Sequence, residues 1–184
     1  MDFWEIYDQN YAPVKTYVAA MTRDDWAADD IVQEVFLKVQ RKFETLNDAA
    51  KLKPWIYSIA RNQCLDHFRK VSASREDQAG EDLEIGDGIQ PPLIQLQLEK
   101  KEMSRCVQSK IDLLPDSKRE VIILFDTMDL SHQEVADILE IQVGAVKVRL
   151  HRARKALKEI LDRDCKFDHD ERNVFVCTPI ENEF

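Results

Sequence analysis

Glycine is scarce in this chain, with four in 184 residues. The Val, Ile and Leu residues recur at helical spacing, so an all-α protein is expected rather than a sheet protein. No apolar run approaches the roughly 20 residues that a membrane span needs. The start, Met1-Asp2-Phe3-Trp4-Glu5, has no basic stretch followed by an apolar run, so no export signal is read there. The four cysteines include no C-x-x-C pair, and the expectation is a reducing cytoplasm with free thiols. A nucleophile elbow, a Gly-rich phosphate loop and a His/Asp/Glu metal cluster are all missing, so neither an enzyme nor a cofactor is expected. Asp29 and Asp30 are adjacent and point to different helix azimuths, so they make no converging acid/base pair.

What is present is charge, unevenly placed. The formal net charge of −9 argues at first against nucleic acid. By segment, residues 1–70 carry a net −1, residues 71–103 −5, residues 104–163 +1 and residues 164–184 −4. The acid sits mainly in a linker and a tail. Lys147, Arg149, Arg152, Arg154, Lys155 and Lys158 form a run with no acid among them. A local basic helix matters more for phosphate contact than the whole-chain sum.

The length suggests one or two modest domains. Phe3, Tyr7, Tyr11, Val14 and Val18 make one face of a first helix, bent at Pro13. Thr22-Arg23-Asp24-Asp25 has the form of a capping box and should open a second helix. There Ile31, Val32, Val35, Phe36, Val39 and Phe43 face inward, while Asp29, Asp30, Gln33, Glu34 and Lys38 stay outside. A third helix is expected from Pro54 to about Lys70, burying Ile56, Ile59, Ala60 and Phe68. Periodicity fails from Val71 to Pro92, which reads as a flexible acidic linker. A fourth helix should cover Leu93 to Leu113, and a short apolar fifth should carry Val121 to Phe125.

Ser131 and Glu134 form another capping box, followed by a short helix with Val135, Ile138 and Leu139 inward. Ala136 is small enough for two helices to cross closely. Glu140-Ile141-Gln142 is a turn, and a second helix begins near Val143 with Val146 and Leu150 facing the first. This is a helix-turn-helix layout, with its cations on the second helix. Base reading falls to Gln142, Ala145, Lys147, Val148 and Arg149 near the helix start, with Arg152 and Arg154 on the cationic flank. Lys147 and Arg149 can donate to guanine, and Ala145 and Val148 offer apolar contact to a thymine methyl. The alternative is a solvated basic face on an ordinary helical hairpin.

Several stretches together resemble the sigma-70 family, in its extracytoplasmic-function group. Leu114-Pro115, Arg119-Glu120-Val121, Leu130-Ser131-x-x-Glu134-Val135-Ala136 and Val146-Lys147-x-Arg149-Leu150-x-Arg152-Ala153-Arg154 resemble region four. Ala28-Asp29-Asp30-Ile31-Val32-Gln33-Glu34-Val35-Phe36-Leu37 resembles region 2.2. Lys53-Pro54-Trp55-Ile56-Tyr57-x-Ile59-Ala60-Arg61-Asn62, with Asp66 and Arg69, resembles regions 2.3 and 2.4. The family often has glycine where this chain has Glu140, and threonine and serine at Ala145 and Val148; Glu140 suits a turn that avoids positive φ.

The resemblance implies two small helical domains on a flexible linker: region two over 1–72, the linker over 73–92, region four over 93–163 and an extension over 164–184. It implies a factor that brings core RNA polymerase to a promoter in a stress or envelope response, with an anti-sigma factor as regulator. Asp29, Asp30, Gln33, Glu34 and Leu37 would meet the polymerase clamp helices. Trp55, Tyr57, Arg61, Asn62 and Arg69 would engage the melted −10 element, and the Thr45–Lys53 loop would take a flipped base. Competing with this, Trp55 or Tyr57 belongs to the core and Arg69 pairs with Asp66. The fifth helix offers a groove for the polymerase flap tip or is ordinary core. The rivals are a stand-alone helix-turn-helix regulator of duplex DNA and a helical adaptor that binds only proteins.

In the extension, Val174-Phe175-Val176 favours a strand that turns back on Cys165-Lys166-Phe167, giving a small β-hairpin. Three readings stand side by side: a packing extension, a redox-sensitive thiol pair, and a metal site of Cys165, His169 and Cys177 that lacks a fourth ligand. Its negative charge would also mask the basic helix in the free protein.

Overall fold

The structure, a computed structural model, describes residues 2–46, 48–77, 107–169 and 175–179. Helix α1 spans Phe3–Thr22 with Pro13 inside it. The Asp2 amide donates to the Glu5 carboxylate at 3.1 Å and tethers its first turn. Val14 and Val18 are buried as the apolar stripe requires, and Ile6, Tyr17 and Met21 extend that stripe. Phe3, Tyr7 and Tyr11 sit at its edge, half-buried.

Helix α2 covers Asp25–Lys42 and buries Ile31, Val32, Val35, Phe36 and Val39. Its cap differs from the expectation. The Asp24 carboxylate accepts from the Trp26 and Ala27 amides at 2.9 and 3.1 Å. Thr22 remains the last residue of α1, its hydroxyl donating to the Val18 carbonyl at 2.9 Å. A carboxylate next to the free amides is the stronger acceptor, so Asp24 wins over Thr22.

Two 3-10 turns, Phe43–Thr45 and Ala49–Lys51, lead into α3, Leu52–Asp77. The helix starts two residues before Pro54, which keeps proline in the first turn where its missing N–H costs nothing. It runs past Lys70 into the stretch read as linker; the rest of that stretch, and most of the expected fourth helix, lie outside the described residues. Ile56 and Ala60 are fully buried, while Ile59 and Phe68 pack at the margin.

The second domain begins with a helical stretch over 107–112, α4. Helix α5, Asp116–Ile122, continues as a wide π turn over Ile123–Thr127. Val121, Ile122, Ile123 and Leu124 are all core, so the apolar surplus of the expected fifth helix is spent inside the domain. Helix α6 is His132–Leu139 and α7 is Val143–Asp164. Strands β1, Cys165–His169, and β2, Phe175–Pro179, pair antiparallel as the expected hairpin. The register sets Cys177 opposite Phe167 and Cys165 opposite Pro179, so these cysteines are diagonal neighbours.

Candidate nucleic-acid interface

The Ser131 hydroxyl accepts from the Glu134 amide at 3.3 Å, and the Ser131 amide donates to the Glu134 carboxylate at 2.8 Å. This reciprocal cap fixes the start of α6. Val135, Ala136, Ile138 and Leu139 of α6 and Val146, Leu150 and Ala153 of α7 are all buried, and the two helices pack on each other. Ala136, at 3% exposure, provides the close crossing.

The turn between the helices corrects one expectation. Glu140 adopts φ 55° and ψ 43°, the left-handed region that favours glycine. A non-glycine residue there is strained by roughly 1–2 kcal/mol. The α6 cap hydrogen bond, from the Glu140 amide to the Ala136 carbonyl, holds it in place. Glu140→Gly should therefore stabilise the domain by about 0.5–1 kcal/mol, after allowing for the extra freedom of glycine in the unfolded chain. Urea unfolding of the two proteins checks this; an unchanged midpoint would mean that the turn is not strained.

Gln142 is the N-cap of α7, and Gln142, Ala145, Lys147 and Val148 are exposed on its first turns. Val148 keeps half its surface in solvent, unusual for an aliphatic residue on a packed helix. Lys147 and Arg152 are exposed and make no ion pair among the described residues. Arg149 is half-buried; burial pushes the Glu120 carboxyl up from its ordinary value, and the charges of Arg61 and then Arg149 oppose that rise. Arg154 is engaged differently: its guanidinium pairs with both oxygens of Asp126 and stands 5.3 Å over the Phe125 ring. It braces α7 against the π turn, an arrangement that no sequence periodicity reveals. Lys155 and Lys158 pair along the helix with Glu159 and Asp162.

On α2, Asp30, Gln33 and Glu34 are exposed, and Leu37 is 44% exposed beside them. Asp29 meets Lys15 of α1 at 2.5 Å, so only part of its charge faces outward. On α3 the second set separates. Asn62 and Arg69 are exposed, with Arg69 donating to Asp66 at 2.8 Å, and Trp55 is half-buried. Tyr57 is core, at 1% exposure; burial pushes its phenol up to about 12, and its hydroxyl donates to the Met128 sulfur. Arg61 donates to Glu120 of α5 at 2.9 Å. Lys53 donates to the Met128 carbonyl at 3.1 Å. Lys53, Tyr57 and Arg61 recur every fourth residue on one face of α3, and that spacing was the available sign of a second contact surface.

Cys165 is buried. The side chains of His169 and Cys177 lie outside the described residues, and with them the thiol-pair and metal readings. Among the described residues, no group of three or more metal-ligating side chains converges. No helix among them is long and apolar enough to cross a membrane.

Two helical domains, one with a capped helix-turn-helix and an exposed cationic reading helix, define a DNA-binding protein of the transcription machinery. The Sigma-70 region 2 profile matches residues 6–74 and the Sigma-70, region 4 profile matches residues 104–157. RNA polymerase sigma factor SigZ of Bacillus subtilis is 32% identical over 170 residues, which cover 92% of this chain and 93% of that protein. ECF RNA polymerase sigma factor SigM of Bacillus subtilis is 31% identical, over 86% of this chain and 94% of that protein. Among solved structures, the sigma factor RpoE in complex with the anti-sigma factor NepR from Bartonella quintana shares the fold, with a TM-score of 0.69 at 24% identity over 88% of this chain and 97% of that one. The chain belongs to the sigma-70 family, in its extracytoplasmic-function group, and is an RNA polymerase sigma factor.

Proposed function

We propose that this chain delivers core RNA polymerase to promoters by binding alone, without catalysis, reading two DNA elements with its two domains. The start of α7 reads the −35 duplex through Gln142, Ala145, Lys147, Val148 and Arg149, with Arg152 on the phosphates. Arg154 serves this surface by fixing the pitch of α7 against Asp126. Helix α3 engages the melted −10 strand: Trp55, Asn62 and Arg69 are accessible, and Tyr57 and Arg61 become so when the domains part. The Asp30, Gln33, Glu34 and Leu37 face of α2, flanked by Asp29, supplies the acidic and apolar contact that a basic polymerase helix needs. The work is done in the cytoplasm, where polymerase is, in a stress or envelope response, with an anti-sigma factor as negative regulator.

The observation that carries this reading is the cationic face of α7, exposed at Lys147 and Arg152, behind a helix capped by Ser131 and Glu134. The region-two match precedes the region-four match along the chain, which supports one DNA reader in each domain. The test is run-off transcription with core polymerase on fragmented genomic DNA. Discrete start sites should appear only when the chain is added. Equal duplex binding with and without polymerase, and no start-site selection, would instead point to a stand-alone regulator.

A further inference from the structure

Trp26 is the most exposed of the large apolar side chains described, at 88%. Its amide donates to the Asp24 carboxylate at 2.9 Å in the cap of α2. The indole itself makes no ring, cation or hydrogen-bond contact among the described residues. The cap therefore needs the Trp26 backbone and leaves its side chain unused. Exposed aromatic rings of this kind concentrate in binding surfaces, where they act as anchors.

The helical period places this ring on a face already described. Trp26 precedes Asp30 by four residues and Leu37 by eleven, so Trp26, Asp30, Gln33, Glu34 and Leu37 form one exposed stripe. Its two apolar ends stand three turns apart, roughly 16 Å along the axis. Asp25, Asp30 and Glu34 are exposed and make no ion pair among the described residues. The charge along α2 is graded, with acids in the first half and Lys38, Arg41 and Lys42 in the second. That gradient suits the dipole of the helix itself, which accounts for the charges and not for the tryptophan.

We propose that Trp26 anchors the polymerase contact. A cationic side chain of a basic polymerase helix, best an arginine, stacks on the indole while neighbouring cations meet Asp25, Asp30 and Glu34. An apolar residue three turns on covers Leu37. The anchor rests on the reading of the α2 face as the polymerase contact, and extends that face by one turn to the start of the helix. Tryptophan offers the strongest ring face to a cation, and a planar guanidinium stacks on it better than an ammonium. Nucleic acid is a poor occupant, because its phosphates would meet three carboxylates. Two copies of α2 set antiparallel would also match acid to base, but that pairing hides the face that polymerase needs.

The test measures the affinity of the labelled full chain for core RNA polymerase by fluorescence anisotropy. Trp26→Ala should weaken binding roughly thirtyfold, the scale of an aromatic anchor. Trp26→Tyr keeps a ring face and should stay within about threefold of the parent. Trp26→Leu is apolar without such a face and should fall between the two. Helix content by circular dichroism should not change, since the ring is in solvent. Run-off transcription by Trp26→Ala should recover at saturating factor, because the anchor sets occupancy of polymerase and not DNA reading. Polymerase affinity unchanged in Trp26→Ala overturns the anchor. A leucine variant as tight as the tyrosine variant overturns the stacking, and a loss of initiation that saturation does not restore overturns the assignment to docking. Sedimentation of the chain alone reads the rival: a dimer that Trp26→Ala dissolves would give the indole to a second copy. The pair Asp30→Lys with Glu34→Lys tests the underlying face. If that pair weakens polymerase binding and Trp26→Ala does not, the anchor alone fails; if neither does, the reading of α2 as the polymerase contact fails with it.

Discussion

Reversing two charges on α7, Arg149→Glu with Arg152→Glu, should lower promoter-directed initiation by about thirtyfold or more. The estimate follows from about 1–3 kcal/mol for each lost cation–DNA contact. Arg152 is exposed and unpaired among the described residues, so its full charge is available to a phosphate. Arg149 is half-buried, and its field reaches Glu120. The slope of log affinity against log salt should fall in magnitude by about one, for the phosphate-neutralising Arg152. Lys158→Glu should do much less, since Lys158 already answers Asp162 on the same helix. Because Arg149→Glu would bring a second carboxylate near Glu120, the neutral pair Arg149→Gln with Arg152→Gln supplies the check, with the same direction at roughly half the free-energy change. Initiation unaffected by either pair, with the domain folded, would remove α7 from promoter reading.

Much of this surface is legible without coordinates, because its determinants are local. The inward residues of α2 recur with the helical period, and every aliphatic at those positions from Ile31 to Val39 is buried. Ser131 and Glu134 meet as their spacing implies, since both ends of the hydrogen bonds lie within one turn. What escapes notice depends on residues far apart in sequence. Arg61 looks like a free DNA contact until Glu120, 59 positions away, is brought against it, and Tyr57, readable as DNA contact or as core, is decided for the core by Met128, 71 positions away. Arg154 looks like another phosphate ligand until Asp126 and Phe125 engage it. Glu140 shows a third kind of miss: its backbone takes positive φ because the helix pair fixes the corner, against the preference of its own side chain. The second-helix cap failed at shorter range, where Thr22 and Asp24 competed and the residue nearer the free amides won.

Arg119→Ala should be the most destabilising single change in the second domain, by about 3–4 kcal/mol. This arginine is 1% exposed, among the most buried large side chains of the chain. One guanidinium nitrogen donates to the Asp112 and Leu114 carbonyls at 3.4 Å each, and the other donates to Asp116 at 2.6 Å. It therefore satisfies the end of α4 and the start of α5 at the Leu114-Pro115 corner. Truncation leaves those carbonyls without their donor and opens a cavity, and both effects add. Arg119→Lys should recover little, because a single ammonium cannot reach three acceptors as the guanidinium fork does. Arg119→Met fills the volume and leaves the carbonyls unanswered, so its loss should fall between those of wild type and alanine. Chemical denaturation followed by circular dichroism measures all three. An alanine variant within about 1 kcal/mol of wild type would mean that water replaces the guanidinium at this corner.

The brace on α7 limits how the molecule can fit promoters of different length. Arg154 ties the middle of the helix to Asp126, and Asp164 at its end receives Lys110 at 3.0 Å. The helix cannot swivel within its domain to follow a displaced −35 element, so that domain must travel as one piece. Tolerance for spacing between the two DNA elements then falls to the connection between the domains. Shortening that connection, with both readers untouched, should narrow the range of promoter spacers the factor accepts.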